Sequence, residues 1–275
     1  MSNTILKTLL VVAFISIKLN CFGQIYSQSD FVQIPTPAPE SKEWHEFNLS
    51  VRTPIKVLLV KGQLQLSKNP REDYIKYKLP YGELVALDMG EFGGGLYYKP
   101  DNDTGDEVFQ INGKIVTLNN EMSNYGWMFS KDSPEHDLIK GMHVLIHGGN
   151  VNSIFTYKDS TYFIDGLAHM ATNKGSLYKI EYHKNSFSII KMLDFDDAPR
   201  SVAVYNDTIF IATFKKFYII TDWKKELVFD NLFWYGFNPS SIVVKDNKNI
   251  YLGMVGFYAK IDLEKRDLVL YKYNK

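Results

Sequence analysis

Carboxylates beside a glycine-rich turn are the first residues of this chain whose types and spacing could do chemistry. Glu83 and Glu91 precede the turn that contains Gly93 and Gly94. Two neighbouring carboxyl groups can act as acid and base on a glycosidic bond, and glycines let a backbone approach a ligand closely. Turns also contain these residue types for structural reasons, so the pattern favours a ligand-binding surface over a catalytic pair.

A second acidic segment has the composition of a calcium loop. Asp101, Asp103 and Glu107 stand at alternate positions of the stretch DNDTGDE, with Gly105 available for the turn. Calcium is bound by about six to eight oxygen ligands, which such a loop can supply. The complete EF-hand pattern is absent, and a solvated hairpin loop has the same composition. Calcium is therefore the one cofactor for which the sequence offers ligands.

Polar and aromatic residues further along the chain form a second group of candidate ligand contacts. Asp197 and Arg200 lie in the stretch DFDDAPR just before a strand, where they could form an ion pair or line a central opening. Trp234 belongs to the stretch FWYGF, and aromatic faces of this kind bind sugar rings or pack in a core. His169 and Asn173 lie in residues 167–174, which interrupt a repeat in the sequence.

Several classes of function are disfavoured by composition. The 31 basic and 31 acidic residues balance, whereas a nucleic-acid-binding protein needs a basic surface. The chain lacks the GxSxG motif of Ser-His-Asp hydrolases. Cys21 is the only cysteine, so disulfides within the chain are excluded. No catalytic residue follows from a local motif.

The N-terminal residues predict export from the cytoplasm. Lys7 precedes an apolar run at residues 8–17, which is long enough for a signal peptide and too short to span a bilayer. Residues 1–23 resemble signal peptides of secreted Bacteroidetes proteins, with cleavage before Gln24. The mature chain would be secreted, periplasmic or in the cell envelope, without a transmembrane segment. Lipidation at Cys21 is a weaker alternative, because Asn20 departs from the usual small residue before the cysteine.

The remaining residues divide into a leader and one domain. Residues 24–45 contain three prolines and little periodicity, which predicts an extended leader. Residues 46–275 show short segments of alternating apolar and polar residues, typical of half-buried strands. The last segment, residues 267–273, is such a strand, and residues 51–60 are the predicted pairing partner.

A repeat organises the second half of this domain. A tyrosine recurs every forty residues at Tyr178, Tyr218 and Tyr258. A serine precedes each of them, at Ser153, Ser201 and Ser241. The distance from serine to tyrosine is 25 residues in the first unit and 17 in the other two, and the extra residues fall at 167–174. Such an insertion predicts a loop on one face, often the binding face.

Over residues 151–275 the chain resembles β-propeller repeat proteins, whose blades have this period. The WD, kelch and YWTD motifs are absent, so the resemblance indicates no specific family. It implies an all-β domain of about six four-stranded blades, with five or seven also compatible, and a large β-sandwich is the alternative. The predicted function is a non-catalytic module that binds a protein, peptide or glycan on one propeller face. The alternative is a carbohydrate- or ester-directed hydrolase or lyase that uses carboxylates at the hub.

Overall fold

The computed structural model describes residues 25–49, 53–68, 74–90, 94–101, 109–112, 114–116, 142–147, 149–183, 186–234 and 236–274. The predicted signal peptide and Cys21 lie outside the described residues. Four of the predicted site residues also lie outside them: Glu91, Gly93, Asp103 and Glu107.

Within the described residues the protein consists mainly of strands. The first nine are β1 (Ile25–Tyr26), β2 (Phe31–Ile34), β3 (Ile55–Val60), β4 (Gln63–Lys68), β5 (Tyr74–Leu79), β6 (Gly82–Asp88), β7 (Gly94–Pro100), β8 (Phe109–Ile111) and β9 (Lys114–Val116). The next seven are β10 (His143–His147), β11 (Asn150–Tyr157), β12 (Ser160–His169), β13 (Thr172–His183), β14 (Ser186–Phe195), β15 (Pro199–Tyr205) and β16 (Thr208–Thr213). The last six are β17 (Phe217–Thr221), β18 (Lys224–Phe229), β19 (Ser241–Asp246), β20 (Asn249–Met254), β21 (Phe257–Asp262) and β22 (Asp267–Tyr273). Helical structure in these ranges is limited to α1 (Lys42–Leu49) and a 3-10 turn at Gln28–Asp30.

The described strands form five sheets, which confirms the prediction of an all-β protein. Sheet I has the order β1-β4-β3, sheet II β10-β7-β6-β5, sheet III β11-β12-β13-β14-β8-β9, sheet IV β15-β16-β17-β18, and sheet V β19-β20-β21-β22-β2. Neighbouring strands are antiparallel except for β14 and β8, which are parallel. None of the described sheets closes on itself.

Tight turns connect consecutive strands into antiparallel meanders. Lys158 and Asp159 join β11 to β12, and Asn206 and Asp207 join β15 to β16. All four residues have positive φ angles, between 44° and 58°. Two-residue turns with this left-handed backbone match the twist of the flanking strands. The local sequence therefore sets both the turn and the register of these hairpins.

Alternation along each strand buries both faces of the sheets. In β16, Ile209 and Ile211 belong to a core shared with sheet III, whereas Phe210 and Ala212 belong to a core shared with sheet V. Representative residues of the four main cores are Leu84 with Phe163 (sheets II and III), Ile164 with Ile211 (III and IV), Phe210 with Leu252 (IV and V) and Ile55 with Tyr258 (V and I). The sheets therefore pack one against the next in the order II, III, IV, V, I.

The C-terminal strand pairs with a segment different from the predicted one. We expected residues 51–60 beside β22, but β3 pairs with β4 in sheet I. Phe31–Ile34 pairs with β22 instead, with Phe31 opposite Tyr273 and Ile34 opposite Leu270. Part of the predicted extended leader is thus a strand of sheet V, and its last residues enter α1.

The forty-residue tyrosine repeat is only partly reproduced in the strand register. Tyr178 and Tyr218 both lie opposite the fourth residue of the preceding strand, Phe163 and Ile211 respectively. Tyr258 lies opposite Gly253, the fifth residue of β20, and Ala259 takes the equivalent place. A shift of one residue moves a side chain to the other face of a sheet. Tyr258 accordingly packs towards sheet I, whereas Tyr218 packs towards sheet III.

The predicted loop at residues 167–174 is instead a regular extension of the β12–β13 hairpin. Pairing continues to His169 opposite Thr172, so the turn consists of Met170 and Ala171. Met170 has a φ of 51° and is 93% exposed. The extra residues of the first repeat unit therefore lengthen two strands, and the prediction of a loop is wrong.

Candidate functional site

The β12–β13 hairpin, extended by residues 167–174, is called the long hairpin below, and its base is where this extension begins. A pocket of about 520 Å³ lies beside this base. It is lined by residues of β12, β13 and β14 and by two residues at the end of β10 and just after it. These residues are Ile146, Gly149, Asp165, Gly166, Leu167, Thr172, Lys174, Gly175, Ser176, Tyr178, Lys191, Asp194 and Phe195. Ligand pockets commonly have volumes of about 300–1,000 Å³, so this pocket has room for a small molecule.

Asp165 is the most strongly perturbed carboxyl group of the pocket. It lies opposite Ser176 in the β12–β13 ladder, and the Ser176 backbone N–H donates to its Oδ1 at 2.9 Å. Burial raises the pKa of Asp165 to about 6, and the charge of Asp194 adds to this effect. Gly149 lies against the other oxygen, because a Cβ there would be 2.7 Å from Oδ2. The carboxyl can therefore donate a hydrogen bond in its protonated form below about pH 6.

Asp194 is held in the opposite ionisation state by its neighbours. It lies on the other side of Ser176, whose hydroxyl donates to Asp194 Oδ1 at 2.8 Å. Lys191 Nζ lies 3.0 Å from the same oxygen. Hydrogen bonds from Lys191 and Ser176 hold the pKa of Asp194 below its usual value. Ser176 thus separates one carboxyl that protonates readily from one that stays ionised.

Aromatic side chains and a lysine complete the pocket wall. Tyr178 stacks on Phe163, with ring centroids 4.9 Å apart and an interplanar angle of 10°. Burial raises the pKa of Tyr178, and the charge of Asp165 raises it further, so the phenol remains protonated. Phe195 adds a buried ring. Lys174 is exposed and forms no ion pair with any residue in the described ranges.

A buried carboxylate anchors the long hairpin to the start of β15. Asp197 is 1% exposed and accepts hydrogen bonds from Asn173 Nδ2 at 2.6 Å, from the Thr213 hydroxyl and from the Lys215 backbone N–H. Asn173 Oδ1 in turn accepts from the Ala198 backbone N–H at 2.8 Å. The structure thus brings the predicted residues Asn173 and Asp197 together. These contacts position the hairpin, and they engage the side-chain oxygens of both residues with protein donors.

Arg200 connects sheet IV with two other parts of the molecule. Its Nη2 lies 3.1 Å from Asp88 Oδ2 at the end of β6, and its Nε donates to Asn238 Oδ1 at 2.8 Å. Its guanidinium lies 5.1 Å from the Phe214 ring centroid. The planar guanidinium of an arginine keeps a fixed orientation when several groups contact it at once. Arg200 therefore links β15 of sheet IV to β6 of sheet II and to the segment that contains Asn238.

The predicted site residues Glu83, Gly94 and Asp101 lie outside the pocket. Glu83 is on β6, where Lys76 Nζ lies 3.8 Å from its Oε2. Asp101, just after β7, pairs with Lys78 on β5. Gly94 packs so tightly in sheet II that a Cβ would lie 2.1 Å from the Leu87 carbonyl oxygen. None of these three residues lines the pocket.

The predicted ligand contacts Trp234 and His169 do not line the pocket either. Trp234 has no exposed surface, and its Nε1 donates to the Thr213 carbonyl at 2.9 Å. The ring therefore supports the core between sheets IV and V and presents no free face. His169 is the last residue of β12, next to the exposed turn of the long hairpin.

Asp165, Ser176 and Lys191 were not predicted from the sequence, whereas Asp194 belongs to the acidic stretch DFDDAPR, from which only Asp197 and Arg200 were predicted as ligand contacts. A local signal was nevertheless present, because Asp165–Gly166 and Gly175–Ser176 border the extra segment symmetrically. A Cβ at Gly175 would lie 2.1 Å from the Asp165 carbonyl oxygen and 2.5 Å from Pro199 Cδ. The glycines thus allow the close approach that brings the carboxyl to the base of the hairpin.

Two features, a cluster of metal ligands and a long apolar helix, are not found in the described residues. They contain no group of three or more His, Cys, Asp or Glu side chains placed to hold a metal ion. The predicted calcium ligands Asp103 and Glu107 lie outside these ranges. In the same part of the chain, no helix has the length and apolar character needed to cross a bilayer.

Comparisons with known proteins give no family. No protein-family model matches the chain, and no curated protein matches it. Among solved structures, the chain is similar to the crystal structure of the computationally designed Ika8 protein, with a TM-score of 0.34 and 11% identity. The match covers 79% of this chain and 73% of that one. At this TM-score the similarity carries no argument about fold or function.

Proposed function

We propose that this chain is a secreted, non-catalytic binding protein with a β-propeller fold and that its ligand is a small saccharide. The propeller is supported by the order of the sheets, because β11, β15, β19 and β3 are successive neighbours in space. Propellers repeat sheets radially in this manner. Five sheets favour five blades over the six expected from length, and a stack of sandwich-like sheets is the alternative.

The pocket beside the long hairpin is the observation that carries the binding function. Its polar groups include a protonatable carboxyl, an ionised carboxylate, a hydroxyl and two ammonium groups, contributed by Asp165, Asp194, Ser176, Lys174 and Lys191. Phe195 and Tyr178 supply apolar surface. Closely spaced donors and acceptors beside aromatic rings suit a hydroxyl-rich ring. A protein partner would need a much larger surface, of about 800 Å² on each side.

Saccharide binding can be tested with a glycan array followed by titration calorimetry. We expect one group of saccharides to bind, and Ser176→Ala and Asp194→Asn to weaken binding at least tenfold because they remove polar contacts in the pocket. Asp267→Asn, an exposed carboxyl on β22, is the matched control and should leave affinity unchanged. Absence of binding to every glycan, or equal affinity in the pocket variants, would reject this function.

Glycoside hydrolysis is a second candidate because two carboxyl groups of opposite ionisation share the pocket. The pKa of Asp165 is raised to about 6 and that of Asp194 is lowered, the pattern expected of an acid and its ionised partner. Release of 4-nitrophenol from a panel of nitrophenyl glycosides would show turnover. Hydrolysis that Asp165→Asn and Asp194→Asn each abolish would favour the enzyme over the non-catalytic binding protein.

A further inference from the structure

The two lysines of the pocket differ in how their charges are balanced. Lys191 is paired with Asp194 across 3.0 Å. Lys174 lies on β13 near the base of the long hairpin and has no ion-pair partner among the residues that the structure describes. One positive charge of the pocket is therefore available to a ligand.

Asp165 contributes a second group that an anionic ligand can use. Its Oδ1 accepts from the Ser176 N–H, whereas Oδ2 has no hydrogen-bond partner within the described part of the chain. The titratable side chains of β13 and β14 that share the pocket with it are Lys174, Tyr178, Lys191 and Asp194. Because burial raises the pKa of Asp165 to about 6, Oδ2 carries a proton at mildly acidic pH and can donate it.

The net charge of the pocket follows from these four ionisable groups and Asp165. With Asp165 protonated and Tyr178 neutral, Lys174 and Lys191 outweigh Asp194 by one positive charge. Once Asp165 ionises, the positive and negative charges cancel. An anionic ligand is therefore favoured by the pocket at mildly acidic pH and loses that advantage near neutral pH.

We propose that the saccharide bound in this pocket carries a carboxylate, as uronic acids do, and that Lys174 and Asp165 recognise this group. The inference rests on the proposed saccharide-binding function and specifies its ligand. The ligand carboxylate accepts a hydrogen bond from the Lys174 ammonium and a second one from the protonated Asp165 carboxyl. Hydrogen bonds to charged groups discriminate strongly between ligands that have the group and ligands that lack it.

Calorimetry with glucuronate, galacturonate, glucose, galactose and acetate at pH 5.0 and pH 7.5 tests the proposal. At pH 5.0 we expect one of the uronates to bind about tenfold more tightly than its neutral counterpart, the effect of one charge-assisted hydrogen bond. Acetate should bind more weakly than that uronate because it lacks the ring. At pH 7.5 the preference for the uronate should shrink in the wild-type protein.

Three variants distinguish the roles of the two side chains. Lys174→Met should remove the preference for the uronate over its neutral counterpart, and Lys224→Met on β18 is the matched control that should keep this preference. Asp165→Asn keeps an acceptor for Ser176 and a permanent donor for the ligand, so its preference should persist at pH 7.5. Equal affinity for uronate and neutral sugar, or a preference that Lys174→Met leaves intact, would overturn the inference but not saccharide binding. Failure of every sugar to bind would reject both.

Discussion

Asp165 is the pocket residue whose ionisation is coupled to the stability of the fold. Its pKa is about 6 in the folded protein and 3.8 in the absence of burial. The folded state therefore holds this proton more tightly than the unfolded chain. The contribution of Asp165 to stability is fully present below about pH 4 and is lost as the pH rises towards 6, with a total loss of at most roughly 3 kcal/mol.

Replacing Asp165 by asparagine should remove this pH dependence. Asparagine keeps an oxygen for the Ser176 N–H and cannot ionise, so the variant should match the wild type near pH 4 and exceed its unfolding free energy above pH 7. We expect a gain of about 1–3 kcal/mol at high pH, measured by urea denaturation at a series of pH values. Asp267→Asn, at an exposed position outside the pocket, is the matched control for replacing a carboxyl by an amide. A difference between Asp165→Asn and the wild type that is independent of pH would contradict the raised pKa.

The long hairpin is the element that forms the pocket, and its position depends on close backbone contacts. Gly166 and Gly175 face each other where the hairpin passes Pro199, and a Cβ at Gly175 would lie 2.1 Å from a backbone oxygen. We expect Gly175→Ala to cost at least 3 kcal/mol, since the strands must separate, and to abolish ligand binding. Thermal unfolding and calorimetry measure the two effects.

Gly62→Ala is the matched control for this substitution. Gly62 has a φ of +74°, and nothing lies within 4 Å of the position that its Cβ would occupy. Alanine there costs only the backbone strain of a left-handed residue, about 1 kcal/mol. A Gly175→Ala protein as stable as the Gly62→Ala protein would show that the hairpin does not need this close approach.

The sequence predicted where strands form better than it predicted how those strands extend and pair. Residues 267–273 alternate clearly, and β22 has those bounds. For residues 167–174, comparison with the shorter repeat units predicted a loop, because a repeat does not distinguish an inserted loop from two lengthened strands. That Asp165 and Asp194 share a pocket escaped prediction because they are 29 residues apart in the chain. They meet only through the registers of β12–β13 and β13–β14.

At the scale of the whole molecule, the sequence predicted the all-β class but not which strand accompanies β22. Both candidate segments are short, and pairing over more than two hundred residues has no local signal in either one. Side-chain packing determines which segment pairs with β22. Phe31 is buried between Tyr258 and Tyr273, with ring centroids 5.0 Å and 5.4 Å from them. Of the predicted segment, β3 pairs instead with β4, to which the tight turn at Lys61 and Gly62 connects it.

Phe31→Ala should therefore lower the stability of the protein, because Phe31 packs against Tyr258 and Tyr273 in sheet V. Truncating a buried phenylalanine costs about 3–5 kcal/mol, and the variant should unfold at a clearly lower temperature than the wild type. Deletion of residues 25–34 should have a larger effect, because it exposes the edge of β22, which can then pair with a second molecule. Light scattering after size-exclusion chromatography should show association of this deletion protein. Val32→Thr, at an exposed position of the same strand, is the control and should remain monomeric and stable. If the deletion protein kept wild-type stability and stayed monomeric, the pairing of β2 with β22 would not be part of what holds the sheets together.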